Sequence, residues 1–93
     1  MTLMTADGET NLAVNDSVRL VRFPRCWESS IGKPEFADSV ALVRRCVGNV
    51  YRVDGFDKWG QVEINVYEDG TQAPNYCYHT LWLESEDLRK VTP

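Results

Sequence analysis

The stretch from Cys46 to Tyr67 limits the possible folds more than any other part of this 93-residue chain. It runs through Val47, Gly48, Val50, Tyr51 and Val53, then through a Gly-bounded connection from Asp54 to Gly60, and then through Gln61-Val-Glu-Ile-Asn-Val-Tyr67. In the second arm Val62, Ile64 and Val66 share one parity and Gln61, Glu63, Asn65 and Tyr67 the other, the period of a strand with one buried side. In the first arm Val47, Tyr51 and Val53 share a parity that Val50 breaks, and Gly48 stands where a bulge would re-aim the strand. The pair reads as a β-hairpin with a coiled first arm bent near Gly48. Phe56 and Trp59 make its connection too apolar for an idle loop, so they either tuck under the sheet or face a partner.

The rest of the chain can be placed around this pair. Met1 to Asn15 has neither the basic start nor the apolar middle of a secretory signal and reads as a lead-in, so residues 1–13 are expected to be a flexible tail and 14–93 a single domain. Ser17 to Phe23 is a first strand, with Val18 and Leu20 on one face and Pro24 ending it. Arg25 to Arg45 is long for a connection in a small β domain. Its first half, Cys26 to Lys33, is loop-like. Its second half predicts a helix: Pro34 suits a first position, Glu35 and Asp38 the positive end, and Arg44 and Arg45 the negative end. Phe36, Val40 and Val43 would share a face, and Gly48 lies just past the stop. The β-branched residues of Ser39 to Val43 leave a strand as the competing reading. Glu68 to Asn75 is a turn region, and Tyr76 to Leu83 a strand with Tyr76, Tyr78, Thr80 and Trp82 on one face and Cys77, His79, Leu81 and Leu83 on the other. Glu84 to Leu88 reads as a tight helical turn capped by Ser85, with Leu88 and Val91 closing the core.

Three of these segments carry a resemblance. Asp16-x-Val-Arg-Leu-Val, then Val47-Gly-Asn-Val-Tyr-Arg-Val-Asp-Gly, then Leu81-Trp-Leu-Glu-x-Glu-Asp-Leu-x-x-Val are similar to the small SH3-like barrels of prokaryotic proteins, such as KOW-type domains and the barrel ending the nitrile hydratase β subunit. It spans about Val14 to Val91 and implies a mainly β, SH3-like barrel of about five strands, with one short helix in the first long loop. It also implies work by contact with another macromolecule. The departures limit what carries over: the clustered cysteines of the hydratase metal site are missing, and KOW modules that touch RNA are usually basic.

This chain is acidic, with 14 Asp and Glu against 10 Lys and Arg, and the excess lies after Val53, which disfavours nucleic acid. No apolar run nears the roughly 20 residues that span a bilayer. Three cysteines without a disulfide-framework spacing fit a reducing compartment, so a cytoplasmic location is expected. Cys77 and His79 share a strand face and could join Cys26 and Cys46 on a zinc ion, but the spacing matches no zinc signature; packed thiols are the plainer reading, and no metal or cofactor is expected. As a nucleophile and base, Cys77 and His79 would point in parallel rather than converge. Asp54, Asp57, Glu63 and Glu84 could supply paired carboxylates, though surface acids are common, and no phosphate loop, nucleophile elbow or dinucleotide fingerprint is present.

A binding surface has firmer support. Trp27, Phe56, Trp59, Tyr67, Tyr76, Tyr78 and Trp82 exceed what one small core can hold, and Trp and Tyr are favoured interface anchors. Trp82 and Phe23 are expected in the core. Arg22 and Arg25, with Arg19, Arg44 and Arg45, could form a positive patch beside Trp27. The expected function is therefore a non-catalytic protein–protein interaction module that binds a protein partner or a second copy of itself through Trp27, Phe56, Trp59, Tyr76, Tyr78, Arg22 and Arg25. The alternative is a small-molecule-binding barrel or an accessory subunit whose site forms on assembly.

Overall fold

The computed structural model describes residues 12–74 and 79–91. Among these residues six short strands form two three-stranded antiparallel sheets. The first sheet has the order β2-β1-β6, from β1 (Ser17–Leu20), β2 (Val50–Arg52) and β6 (Leu88–Lys90); the second has the order β3-β4-β5, from β3 (Gly55–Phe56), β4 (Val62–Val66) and β5 (His79–Leu83). One helix, α1 (Ala37–Cys46), lies between β1 and β2, and a 3-10 turn at Pro34–Phe36 runs straight into it.

Strand β1 is the middle strand of its sheet because Val18 and Leu20 both point inward and are fully buried, while both of its edges are paired. The predicted helix forms, Pro34 leads in with no N–H to leave unpaired, and Arg44 and Arg45 lie in the last turn, where cations complement the carbonyl end. Its inward face is Val40, Leu42, Val43 and Cys46; Phe36 is 39 % exposed and does not join it. Gly48, at φ 89°, follows the helix and donates its N–H to the Leu20 carbonyl at 2.7 Å, a conformation that a side chain would disfavour.

The bend therefore falls elsewhere than the alternation suggested. Val53 exchanges backbone hydrogen bonds with Asn15 (2.8 Å) and Asp16 (2.9 Å) beside β1, while the next residue, Asp54, donates to Glu63 of β4 at 2.9 Å. Gly55 also pairs with Glu63, so two residues oppose one and the chain kinks here as it passes from the first sheet to the second. The expected hairpin is corrected accordingly. Its first arm, β2, pairs with β1, and only the short β3 beyond the kink pairs with β4. The chain returns to the first sheet through a 3-10 turn at Ser85–Asp87; Glu84 precedes that turn and no side chain caps it, so Ser85 is not its cap.

One cluster fills the space between the sheets and α1: Val18, Leu20, Tyr51 and Val53 from one side, Val62, Ile64, Val66, Leu81 and Leu83 from the other, and Leu42, Val43 and Cys46 from the helix, with Leu88 beneath. Leu12, Phe23 and Trp27 pack against it. Strand β4 departs from simple alternation. Its apolar face is fully buried as expected, but Glu63 (8 % exposed) and Asn65 (0 %) are covered as well. Among the described residues no helix is long and apolar enough to cross a membrane.

Candidate interaction surface

The turn between β3 and β4 is built by Asp57. Its Oδ1 accepts the N–H groups of Trp59 (2.9 Å) and Gln61 (2.8 Å), and its own N–H donates to the Gln61 carbonyl at 3.0 Å. Gly60, at φ 84°, closes the loop by donating to the Asp57 carbonyl at 3.1 Å. An Asp that satisfies backbone donors two and four residues ahead stiffens a turn. The residue displayed at this stiff tip is Trp59, 77 % exposed, with the Lys58 ammonium 4.6 Å from its ring centroid. Phe56, at the start of the same turn, is 41 % exposed.

Behind the turn, the outer face of the second sheet carries a closed polar cluster. Asp54 Oδ2 accepts the backbone N–H of Asn65 (2.9 Å), its carboxamide (3.0 Å) and that of Gln72 (3.3 Å), while Oδ1 accepts the Arg52 guanidinium at 3.0 Å. The Asn65 carboxamide also donates to Glu63 Oε2 at 2.9 Å and accepts the Thr80 hydroxyl at 2.6 Å. Burial opposes ionisation of Asp54, but the hydrogen bonds from Asn65 and Arg52 outweigh it and hold the carboxyl below the ordinary value of 3.8. A carboxylate ionised and saturated in this way is a tie between strands rather than a proton carrier, so the cluster joins the end of β2 and the corner at Asp54 to β4 and β5 and offers no general base at Asp54.

Each of the five arginines meets a partner close by. Arg22 Nε donates to the buried Asp87 at 2.7 Å and its Nη2 to the Glu86 carbonyl at 2.9 Å, and Arg25 stands 4.0 Å from Glu86. Arg19 donates to the Gly48 carbonyl, Arg45 to that of Glu68, and the Arg44 guanidinium lies 5.4 Å from the Phe23 ring centroid. Asp87 and Glu86 thus offset Arg22 and Arg25, whereas Arg19, Arg44 and Arg45 meet uncharged partners. Trp27 is half-buried, in a 3-10 turn (Arg25–Ser30) packed on the core, and it lines a cleft of about 240 Å³ with Leu42, Val43 and Leu81. Trp27 and Trp59 thus belong to separate surfaces.

Trp82, expected in the core, is 38 % exposed on the outer face, while Leu81 and Leu83 of the opposite parity are buried. Tyr76, Tyr78 and Cys77 lie outside the described residues. Among the described residues, no group of three or more His, Cys, Asp or Glu side chains is arranged to hold a metal ion. Cys46 is buried beside Tyr51 and its thiol is pushed up by that burial; desolvation, with the charges of Glu84 and Asp87, also raises the Cys26 thiol. Neither is an activated nucleophile. Sequence reasoning missed the Asp54 cluster, although the run of polar residues on β4, Glu63 and Asn65, was in plain view. Compared with known protein families, curated proteins and solved structures, the chain matches none of them.

Proposed function

We propose that the chain is a non-catalytic interaction module on an SH3-like barrel and that the turn carrying Phe56 and Trp59 is its contact surface for a protein partner. The two sheets are joined by continuous chain at two corners, Val53 to Gly55 and Leu83 to Leu88, and the first strand pairs with the last, which supports a barrel. The observation that carries the functional reading is the 77 % exposed Trp59 on a turn whose backbone is held by Asp57. A large indole presented in water costs solubility, and a stiff turn lowers the conformational entropy lost on binding, the combination typical of an interface anchor.

The test replaces Trp59 with a photo-crosslinking amino acid in the living host, with the same replacement at exposed Lys33 as control, and measures Trp59→Ala alongside. The expected result is a discrete adduct from position 59 and none from 33. Trp59→Ala should also lose the partner while its Tm stays within about 3 °C, because exposed substitutions change stability little. No adduct from position 59, or a fall in Tm of about 8 °C or more, which would place the indole in the packing, overturns the reading.

A further inference from the structure

Sheet edges expose backbone donors and acceptors, and three of the four here are guarded. At β2, the Gln72 carboxamide stands in for a neighbouring strand: Oε1 accepts the Arg52 N–H at 2.6 Å and Nε2 donates to the Arg52 carbonyl at 3.0 Å. At β6, Arg89 Nη1 covers the Leu88 carbonyl at 3.0 Å and exposed Lys90 discourages pairing. Strand β3 is only two residues long. Strand β5 is five residues long and, among the described residues, has a neighbouring strand, β4, on one side alone.

The register shows which β5 groups face outward. The backbone groups of Glu63 and Asn65 bond away from β5, to Asp54 and Ala73, so Val62, Ile64 and Val66 face β5 and pair with Leu83, Leu81 and His79. The N–H and C=O groups of Thr80 and Trp82 therefore point out of the sheet, and no described residue bonds to them. Alongside this edge runs a groove walled by α1. Its apolar lobe of about 240 Å³ holds Trp27, Leu42, Val43 and Leu81; a polar lobe of about 320 Å³ holds Asp38, Arg45, Glu68 and His79; Ser39, Leu42 and His79 belong to both. That end holds two carboxylates, Asp38 and Glu68, against the one guanidinium of Arg45, whose Nη1 donates to the Glu68 carbonyl, and Glu68 Oε1 also stands 3.7 Å from His79 Nε2, so acids outnumber the guanidinium there two to one.

We infer that the β5 edge binds an extended peptide segment of a partner protein as an added antiparallel or parallel strand, with an apolar side chain beside Trp27 and a basic side chain toward Asp38 and Glu68. Backbone pairing supplies affinity in this mode, and alternate side chains supply specificity. The α1 wall favours a lone strand over the edge of a second folded copy, which would bring its own helix into the same space. This surface is separate from the Trp59 turn, so the two proposals stand or fall independently.

The probe is an array of capped hexapeptides of the pattern Lys-x-Val-x-Val-x and its Glu counterparts, read by fluorescence anisotropy with the full chain. Lys peptides should bind at least about tenfold more tightly than Glu peptides, and alternate backbone N-methylation should weaken binding about tenfold in one register only, since an added strand pairs through every second residue. Binding should slow hydrogen exchange at the Thr80 and Trp82 amides. Trp82→Pro removes an outward N–H while leaving the β4 backbone ladder and the Thr80 hydroxyl bond to Asn65 in place, and Ser39→Arg fills the groove from the helix side; each should weaken binding about tenfold, and Trp59→Ala should leave it unchanged. The inference is overturned if no array peptide binds, if both N-methyl registers behave alike, or if protection maps to the Trp59 turn. Thr80 and Trp82 amides already protected in the free chain would also overturn it, a dimer on light scattering pointing to a second copy and a monomer to another segment of this chain.

Discussion

Asp54 shows how a residue that reads as a surface acid becomes structural. Four hydrogen bonds converge on its carboxylate, whose side chain is 1 % exposed. Because its folded pKa lies below the ordinary 3.8, ionised Asp54 stabilises the fold; that contribution is complete above the unfolded value and is lost as pH falls through the folded one. Asp54→Asn should therefore lower stability at pH 7 by about 1–3 kcal/mol. Denaturant titrations should also show it losing less between about pH 5 and pH 3 than the wild type loses. Parallel loss in both proteins would mean that the carboxylate is not ionised preferentially in the fold. None of this was legible in the sequence, because alternation assigns Glu63 and Asn65 to a solvated face and cannot show that Gln72 and Thr80 close over them.

At the scale of elements, the turn after β4 is fastened to the end of α1. Tyr51 donates its hydroxyl to the Gly70 carbonyl, Asn49 donates to the carbonyls of Arg45 (3.2 Å) and Gly70 (3.3 Å), and Arg45 donates to that of Glu68 at 2.9 Å. Burial first, then the neighbouring Cys46, pushes the Tyr51 hydroxyl far above its ordinary range, so it stays a donor well into alkaline pH. Gly70 is at φ 89°, and a Cβ there would meet Arg45 Cβ at 3.2 Å and its backbone at 3.3 Å. Gly70→Ala should cost about 2–3 kcal/mol in chemical denaturation, combining backbone strain with the clash. Gly32→Ala, at φ 86° but facing open space, should cost only about 1–2 kcal/mol. Equal losses would show that Arg45 yields without cost. The helix itself was readable, since Pro34, the terminal charges and Gly48 agree. The hairpin was misread because nothing local distinguishes an arm that pairs with its neighbour from one that crosses to another sheet.

For the whole molecule, the two sheets and α1 share one buried cluster, so no part can keep its apolar face covered after the others leave. Unfolding should be a single transition. Far-ultraviolet circular dichroism, which follows both sheets and the helix, should share a midpoint with tryptophan fluorescence, which reports on half-buried Trp27 and Trp82; separated midpoints would mean that the sheets unfold independently.

The sequence by itself determined the β-rich character, the helix and its end, and the inward residues of β1 and β4, because propensity, chain-terminating residues and alternation act within a few residues. Tertiary structure alone decided that the chain switches sheets at Asp54 and Gly55, that Trp82 stays partly in water while Trp27 packs on the core, and that the arginines are each turned to a partner. Those outcomes depend on which segments far apart in the chain compete for the same space and the same hydrogen-bond partners, and that competition is resolved only when the whole core closes.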